Sequence, residues 1–142
     1  MIYKATNLIK QEMDKQEWSC SIKEYDELSD AIVGFHIVNG PTIQVHFLSV
    51  DDDNGVSVRV LDFIHHVAED KEEKILRVIN ECNASNSYLK FVLDSENDVN
   101  VEYDFLPKTD DATVGAEACE MFIKCVDIIN ECYPLFMKAM WG

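Results

Sequence analysis

Histidine, cysteine and aspartate are the residue types in this chain that could do chemistry, but their spacing selects no catalytic set. His65 and His66 are adjacent, so they would point to opposite faces of a strand and diverge on a helix. The chain contains no H-E-x-x-H, G-x-S-x-G, P-loop or G-x-G-x-x-G sequence, the motifs of zinc hydrolases, serine hydrolases and nucleotide-binding proteins. We therefore expect no catalytic residue, no cofactor and no metal ligand.

Two other sets of side chains suggest a metal site without completing one. His36 and His46 lie on segments that are predicted to pair as a hairpin, where they would be diagonal neighbours on the outer face. They could share a metal only with a third ligand. The acidic run at residues 51–55 has its glycine in fifth position, whereas a calcium-binding EF-hand loop needs glycine at position six and Glu at position twelve. We interpret this run as a solvated turn.

The five cysteines form no C-x-x-C pair and lie among apolar residues. An odd number of cysteines without a secretion signal is typical of reduced thiols in a cytosol, and the N-terminal segment has no apolar stretch of the secretory kind. The sequence therefore predicts a cytoplasmic protein with small buried thiols. A redox or nucleophilic role would need a nearby histidine or basic group. The cysteines are Cys20, Cys82, Cys119, Cys125 and Cys132.

The net charge of −15 is the strongest compositional feature. Proteins neutralise nucleic-acid phosphates with clustered Lys and Arg, so we expect no nucleic-acid partner and no anionic membrane. Residues 31–50 carry no charged side chain, but polar residues and an Asn-Gly-Pro turn interrupt them and exclude a membrane span. Residues 92–120 hold nine acidic side chains and one basic residue. This surplus provides solubility or, in a sharper interpretation, attracts a basic partner.

Apolar periodicity predicts a single α+β domain over residues 1–142. The N-terminal segment has apolar residues at helical spacing, and four segments with alternating apolar residues follow it, at 18–22, 31–38, 42–50 and 56–60. A three-residue loop, Asn39-Gly40-Pro41, pairs the middle two segments. The apolar pairs would then be Ile37 with Ile43, Phe35 with Val45, and Val33 with Phe47. Residues 62–66 are left without an assignment.

The second half predicts a helix, a hairpin and a long helix. Asp70 and Glu73 have the spacing of a capping box before an apolar stripe that ends at Cys82. A hairpin that turns at residues 96–98 has one apolar and one polar face. The last helix runs from near Ala112 towards the C-terminus, and Pro134 is expected to kink or restart it.

The apolar surface of the last helix is wider than one sheet requires. It covers about 200° of the circumference, against roughly 100° for docking on a single sheet. We therefore expect a second copy of the chain or a protein partner to cover the remaining face, with the N-terminal helix as the alternative cover. The predicted interface consists of Met121, Cys125, Ile128, Cys132 and Leu135.

The stretch from His66 to Pro107, followed by the long helix, resembles the YbjN family of bacterial proteins, which are labelled sensory transduction regulators. The resemblance rests on "ILRVINECN" and on "YLKFVLDSENDVNVEYDFLP", although Cys82 stands where the family more often has Leu. It implies an antiparallel sheet packed with helices in the order α-β-β-β-α-β-β-α, similar to type III secretion chaperones. Those chaperones are small acidic proteins that dimerise and hold segments of partners. The resemblance carries over no functional residue.

The function predicted from the sequence is a non-enzymatic interaction module. It would be a regulator or a chaperone-like adaptor that binds a protein partner and forms a homodimer. The alternative is a small enzyme or ligand sensor with a pocket between the sheet and the helices. An unfilled apolar groove would favour the adaptor, and a pocket lined by Cys and His would favour the alternative.

Overall fold

A computed structural model describes residues 1–51, 55–105 and 111–142 of the chain. This part contains three α-helices and a six-stranded sheet. The elements in chain order are α1 (Lys4–Lys15), β1 (Cys20–Glu24), β2 (Ser29–His36), β3 (Thr42–Ser49), β4 (Val56–Ile64), α2 (Glu72–Ser85), β5 (Lys90–Leu93), β6 (Val99–Phe105) and α3 (Asp111–Trp141).

The α+β class that the sequence predicts is confirmed. Four strands precede α2, as the alternating segments indicate, which is one more than the resemblance alone implies. The strands lie in the order β1-β2-β3-β4-β6-β5, and all neighbours are antiparallel. α3 continues through Pro134 rather than restarting there. Among the described residues, no helix is long and apolar enough to cross a membrane.

The helices cover one face of the sheet, which we call the inner face. α1 packs against β1, β2 and β3. α3 crosses the same face, where the ring of Phe122 lies 5.0 Å from Trp18 and 5.9 Å from Phe35 between ring centroids. Near its other end, the ring of Phe136 lies 5.1 Å from that of Phe91 on β5. These aromatic contacts join the long helix to both halves of the sheet.

The opposite, outer face of the sheet carries no helix in the part of the chain that the structure describes. Burial alternates along β3, since Val45 and Phe47 are fully buried whereas Gln44 is exposed. This pattern is typical of an antiparallel sheet with one solvated face. The outer-face side chains include Asp30, Ile32, His36, Gln44, His46, Leu48, Arg59, Leu61, Glu102 and Asp104.

The β2–β3 hairpin joins the predicted segments in a different register. Phe35 pairs with Ile43 rather than with Val45, so the predicted register is wrong by two positions and the connecting loop is longer by two residues. Ile37 leaves the ladder and is fully buried, and its amide donates to the carbonyl of Pro41 at 2.9 Å. A shift of two residues keeps every side chain on its predicted face, because side chains alternate with period two.

Contacts with α3 explain the longer loop. The amide of Val38 donates to Asn130 Oδ1 at 2.9 Å. At Gly40, an added Cβ would lie 2.8 Å from the ring of Tyr133, so the loop approaches the helix more closely than a larger residue would allow. Asn39 adopts a left-handed conformation with φ of 58°, which asparagine tolerates better than most residues. These contacts are tertiary, and a local turn pattern does not reveal them.

Residues 62–66 contain the irregular end of β4. The pairing of β4 with β6 shifts between Val60 and Ile64, and Asp62 has a positive φ of 54°. These are the features of a β-bulge. Phe63 and Ile64 are consecutive and both buried, which removes the alternation that would identify a strand in the sequence.

α2 begins at Glu72, and the predicted capping box is wrong. Asp70 lies in a 3-10 turn directly before the helix, and the N-cap residue Lys71 makes no side-chain cap hydrogen bond. The backbone provides a bond instead, because the amide of Lys71 donates to the carbonyl of Ala68 at 2.9 Å. The acidic residues Glu72 and Glu73 in the first turn interact favourably with the helix dipole.

The β5–β6 hairpin is confirmed, and α2 is tied to its edge. The carboxylate of Asp94 accepts the amides of Glu96 and Asp98 at 2.9 and 3.0 Å, which closes the turn. Asn83 on α2 accepts the amide of Phe91 at 2.8 Å and donates to its carbonyl at 3.0 Å. The outer edge of β5 is therefore partly paired within the chain, which protects it from pairing with another strand.

Candidate functional site

The predicted interface on α3 is largely covered within the chain. Cys125 is fully buried, Met121 and Cys132 are 6% and 3% exposed, and Ile128 is half-buried. Leu135 is 37% exposed. Met121, Cys125 and Cys132 are therefore buried within the single chain, and α1, the alternative cover that the sequence suggests, packs against α3 together with α2. An interface between copies through these residues stays a prediction.

Two close contacts hold these helices together. α1 crosses α3 at Gly115, where an added Cβ would lie 2.6 Å from Glu12 Cβ and 2.9 Å from the backbone oxygen of Leu8. α2 meets α3 at a pair of buried thiols, those of Cys82 and Cys132, which interact with each other. Much of the second apolar face of α3 thus packs against other helices of the same chain. The sequence indicated how wide that face is but not which element covers it.

The burial of the cysteines, which the sequence predicts from their apolar surroundings, is confirmed, and we interpret these thiols as inert. All five are buried. Desolvation raises the pKa of Cys119 to about 11 and that of Cys125 to about 12, and it also raises the pKa of Cys132. These raised pKa values keep the thiols protonated near neutral pH. Because the thiolate is the nucleophile, we expect protonated thiols to be unreactive.

This protonation state makes a prediction for thiol labelling. Folded protein treated with dithiobis-nitrobenzoate at about pH 8 should release much less than one equivalent of chromophore, because a thiol of pKa about 11 to 12 is almost wholly protonated there. The same protein unfolded in guanidinium chloride should release five equivalents, one for each cysteine. Rapid reaction of one thiol in the folded protein would contradict the inert assignment and favour an enzyme.

His36 and His46 do not share a site. His36 Nδ1 lies 3.1 Å from Oγ1 of its strand partner Thr42. His46 Nδ1 lies 2.6 Å from Asp30 Oδ2 and donates a hydrogen bond to that carboxylate. The predicted diagonal relation between the two histidines is wrong, because in the observed register the diagonal neighbours of His46 are Asp30 and Gly34 instead of Ile32 and His36.

Asp30 and His46 line a cavity on the outer face, which we call the Asp30 pocket. Asp30 is only 1% exposed, and its Oδ1 atom has no hydrogen-bond partner among the described residues. The cavity has a volume of about 530 Å³, which is within the range of small-molecule sites. Its other lining residues, from the β1–β2 turn and from β3 and β4, are Tyr25, Asp26, Glu27, Leu28, Leu48 and Leu61.

A second polar cluster lies at the β4 bulge. Oxygen and nitrogen atoms of Asp62, His65 and Asp98 lie within 4.8 Å of one another. Asp98 already accepts the amide of His66 at 2.7 Å and lies 3.3 Å from His65 Nδ1. Asp62 and His65 are exposed. We interpret this cluster as the polar support of the bulge, since the one buried carboxylate in it is satisfied.

A groove lies between α2 and the end of α3, and we call it the α2–α3 groove. It has a volume of about 500 Å³. Three of its side chains are positive and one is negative, although the whole chain has a net charge of −15. The lining residues are Lys74, Arg77, Val78, Glu81, Leu135, Lys138, Ala139 and Gly142. Leu135 is the member of the predicted interface that lies here.

Comparison with known families agrees with the resemblance seen in the sequence. The sequence model of the YbjN family, described as "Putative bacterial sensory transduction regulator", matches residues 7–134. This match runs from α1 through the whole sheet and most of α3. Searches of curated proteins and of solved structures find no match. Because the family match covers nearly the whole chain, the chain belongs to the YbjN family.

Proposed function

We propose that the chain is a non-enzymatic interaction module in a regulatory pathway, and that it binds a segment of a protein partner in the α2–α3 groove. Membership of a family of transduction regulators supports the regulatory role. The observation that carries the proposal is Leu135, an apolar side chain left 37% exposed in a groove with three positive side chains. Such an arrangement of apolar and charged groups is typical of a binding surface.

The charges of the groove indicate the kind of segment that fits it. Lys74, Arg77 and Lys138 lie beside the apolar side chains of Val78 and Leu135. A matching segment would place one apolar anchor among acidic residues, as on an amphipathic helix that binds between two helices. Charges of opposite sign would also accelerate the encounter and help to exclude other partners.

An existing ion pair does not prevent this use of the groove. Arg77 Nη2 donates to Glu73 Oε1 at 3.0 Å, and both side chains are about four-fifths exposed. Exposed pairs of this kind contribute only about 0–1 kcal/mol. An acidic partner can therefore compete for Arg77 at little cost.

The acidic part of the sheet is a weaker candidate for the partner surface. Asp104 Oδ1 accepts a hydrogen bond from Arg59 Nη1 at 2.7 Å. The carboxylate of Asp94 is occupied by the turn amides and by Asn100 Nδ2 at 2.8 Å. Both carboxylates thus have partners within the chain, which favours the groove over a purely electrostatic surface.

A substitution at Leu135 tests the proposal. A tagged chain purified from its native host should bring a partner with it in stoichiometric amount, and Leu135→Asp should lower that affinity by at least about tenfold. Burial of a Leu side chain contributes roughly 1.5–3 kcal/mol, and each 1.4 kcal/mol is a factor of ten. The matched control is Ile123→Asp, an apolar residue of the same helix that is 50% exposed and outside the groove.

Equal loss of the partner in the two variants would contradict the proposal, because the effect would then not depend on the groove. Retention of the partner by Leu135→Asp would contradict it as well. Circular dichroism of both variants checks that the helices persist.

Light scattering distinguishes a second copy of the chain from another protein as the occupant. With a heterologous partner, the purified chain should have a mass of 16.3 kDa. Twice that mass, together with a shift of Leu135→Asp towards one chain, would assign the groove to the homodimer that the sequence predicts. In either case the interface is centred on Leu135, since most of the other predicted interface residues are buried.

A further inference from the structure

The Asp30 pocket contains a buried carboxylate that only one neighbour satisfies. Asp30 lies on β2 and pairs with Leu48 on β3, which places His46 diagonally from it on the same face. His46 Nδ1 donates to Oδ2 of Asp30 at 2.6 Å. Among the described residues, Oδ1 receives no hydrogen bond, and the whole residue is 1% exposed.

An unpaired oxygen of this kind is unusual. More than about 90% of buried polar groups in proteins have a hydrogen-bond partner, and an unsatisfied buried charge costs more than a neutral group. The free oxygen belongs to a side chain that lines a cavity of about 530 Å³. Asp30 lines this cavity although Oδ1 itself exposes less than 1 Å², so a donor bound there reaches the carboxylate when the lining side chains move aside.

The surroundings select a positively charged donor. The lining includes three carboxylates, those of Asp26, Glu27 and Asp30, and it includes no Lys or Arg. An anion would meet repulsion from these groups, whereas an ammonium or guanidinium group supplies both charge and hydrogen-bond donors. The neutral donors of water would satisfy the oxygen without complementing its charge.

The rest of the lining selects a cation with an apolar body. Leu28, Leu48 and Leu61 contribute aliphatic surface, and Tyr25 contributes a ring. Tyr25 already attracts a cation within the chain, since Lys23 Nζ lies 5.1 Å from its ring centroid. Cations bind favourably over tyrosine rings. A hydrocarbon chain or ring attached to an amine therefore matches the pocket in charge and in polarity.

From these observations we propose that the Asp30 pocket is a binding site for an organic cation, an ammonium or guanidinium group on an apolar body. The cation donates to Oδ1 of Asp30 while its hydrocarbon part contacts Leu28, Leu48 and Leu61. His46 positions the carboxylate through Oδ2. The same chemistry occurs in a free amine and in a Lys or Arg side chain of another protein. The site lies on the sheet, so it is independent of the α2–α3 groove.

Lys23 is the cation of the chain that lies beside this site. It pairs with Asp30 across β1 and β2, but its ammonium lies over Tyr25 and it forms no ion pair with Asp30 among the described residues. If Lys23 competes with the ligand, then Lys23→Gln should bind an amine as well as the wild type or more tightly. A tenfold loss of amine binding in that variant would overturn the proposal, because removing a competing ammonium cannot weaken the binding of a cation to Asp30.

The test uses hexylamine as the probe, with hexanoate and hexanol as ligands of similar length. Methyl resonances of Leu28, Leu48 and Leu61 are followed by NMR. Physiological salt is used because at low salt a chain of net charge −15 attracts any cation non-specifically. We expect saturable shifts with hexylamine and much weaker ones with the other two ligands. A lysine peptide with blocked termini, titrated in parallel, shows by its relative affinity whether the site prefers a free amine or a protein side chain.

Substitutions locate the binding. Asp30→Asn should weaken hexylamine binding at least tenfold, whereas Asp104→Asn, an exposed carboxylate of the same sheet face, should leave it within twofold. Leu48→Lys would place an ammonium opposite Asp30 and should block the probe, while Leu48→Met should not. Absence of saturable binding, equal binding of hexanoate, or unchanged binding by both Asp30→Asn and Leu48→Lys would overturn the proposal and leave the pocket to water.

Discussion

Replacing Phe136 with alanine should lower the free energy of unfolding by about 3–5 kcal/mol, the usual cost of truncating a buried phenylalanine. Phe136 is fully buried. Its ring lies 5.2 Å from Phe63 in the β4 bulge and 5.1 Å from Phe91 on β5. The substitution would leave a cavity where the long helix, the bulge and the edge strand meet, and close packing on three sides limits how far the cavity can collapse.

Equilibrium unfolding in urea measures this loss through the midpoint and the slope of the transition. Ile123→Ala is the matched control on the same helix, because Ile123 is 50% exposed, and its effect should stay within about 0.5 kcal/mol. A loss below about 1 kcal/mol for Phe136→Ala would show that α3 does not close the core at this point.

Replacing Gly115 with leucine should be the second most damaging change, with a loss of about 1–3 kcal/mol or more. An added Cβ would lie 2.6 Å from Glu12 Cβ and 2.9 Å from the backbone oxygen of Leu8. Neither atom is the flexible end of a side chain, so α1 would have to move away from α3. The better helix propensity of leucine, roughly 1 kcal/mol over glycine, recovers only part of this loss.

The neighbouring residue provides the control for this second change. Ala116 is exposed, and Ala116→Leu should leave the urea midpoint nearly unchanged because it keeps a strong helix former at the surface. Stability equal to the wild type in Gly115→Leu would mean that α1 does not cover α3 there. That result would reopen the second face of α3 as an intermolecular surface.

Apolar residues recur with a different period in helices and in strands, and these periods predicted the elements of the fold. The alternation in β2, β3, β5 and β6 and the helical spacing in α1 and α3 placed these elements close to their observed bounds. The patterns failed where tertiary contacts override local signals. Ile37 left the strand because α3 holds the loop through Asn130 and Tyr133, and neither residue is near the loop in the sequence.

The bulge in β4 and the start of α2 were missed for a similar reason. Phe63 and Ile64 are both buried, so a bulged strand has no period to detect. Asp70 and Glu73 have the spacing of a cap, yet Asp70 belongs to a preceding 3-10 turn. The spacing is compatible with both arrangements, and only the backbone path distinguishes them.

The candidate sites were less predictable than the fold. The sequence placed Leu135 in an interface, and the structure leaves it exposed in the α2–α3 groove. The contact between Asp30 and His46 was missed, because it depends on a register that differs by two residues from the one expected. No local signal identifies Asp30 as buried, since an aspartate at the start of a strand is commonly solvated.

Site-specific photocrosslinking is the measurement that tests most directly whether the α2–α3 groove binds another protein. Benzoylphenylalanine is placed at Leu135 in one variant and at Ile123 in another, since both residues are exposed on α3 and only Leu135 lines the groove. Irradiation in the native host should give one crosslinked protein from position 135 and little or none from position 123. Charge reversal by Lys74→Glu and Lys138→Glu should abolish the product. Equal products from both positions, or none from position 135, would contradict the account.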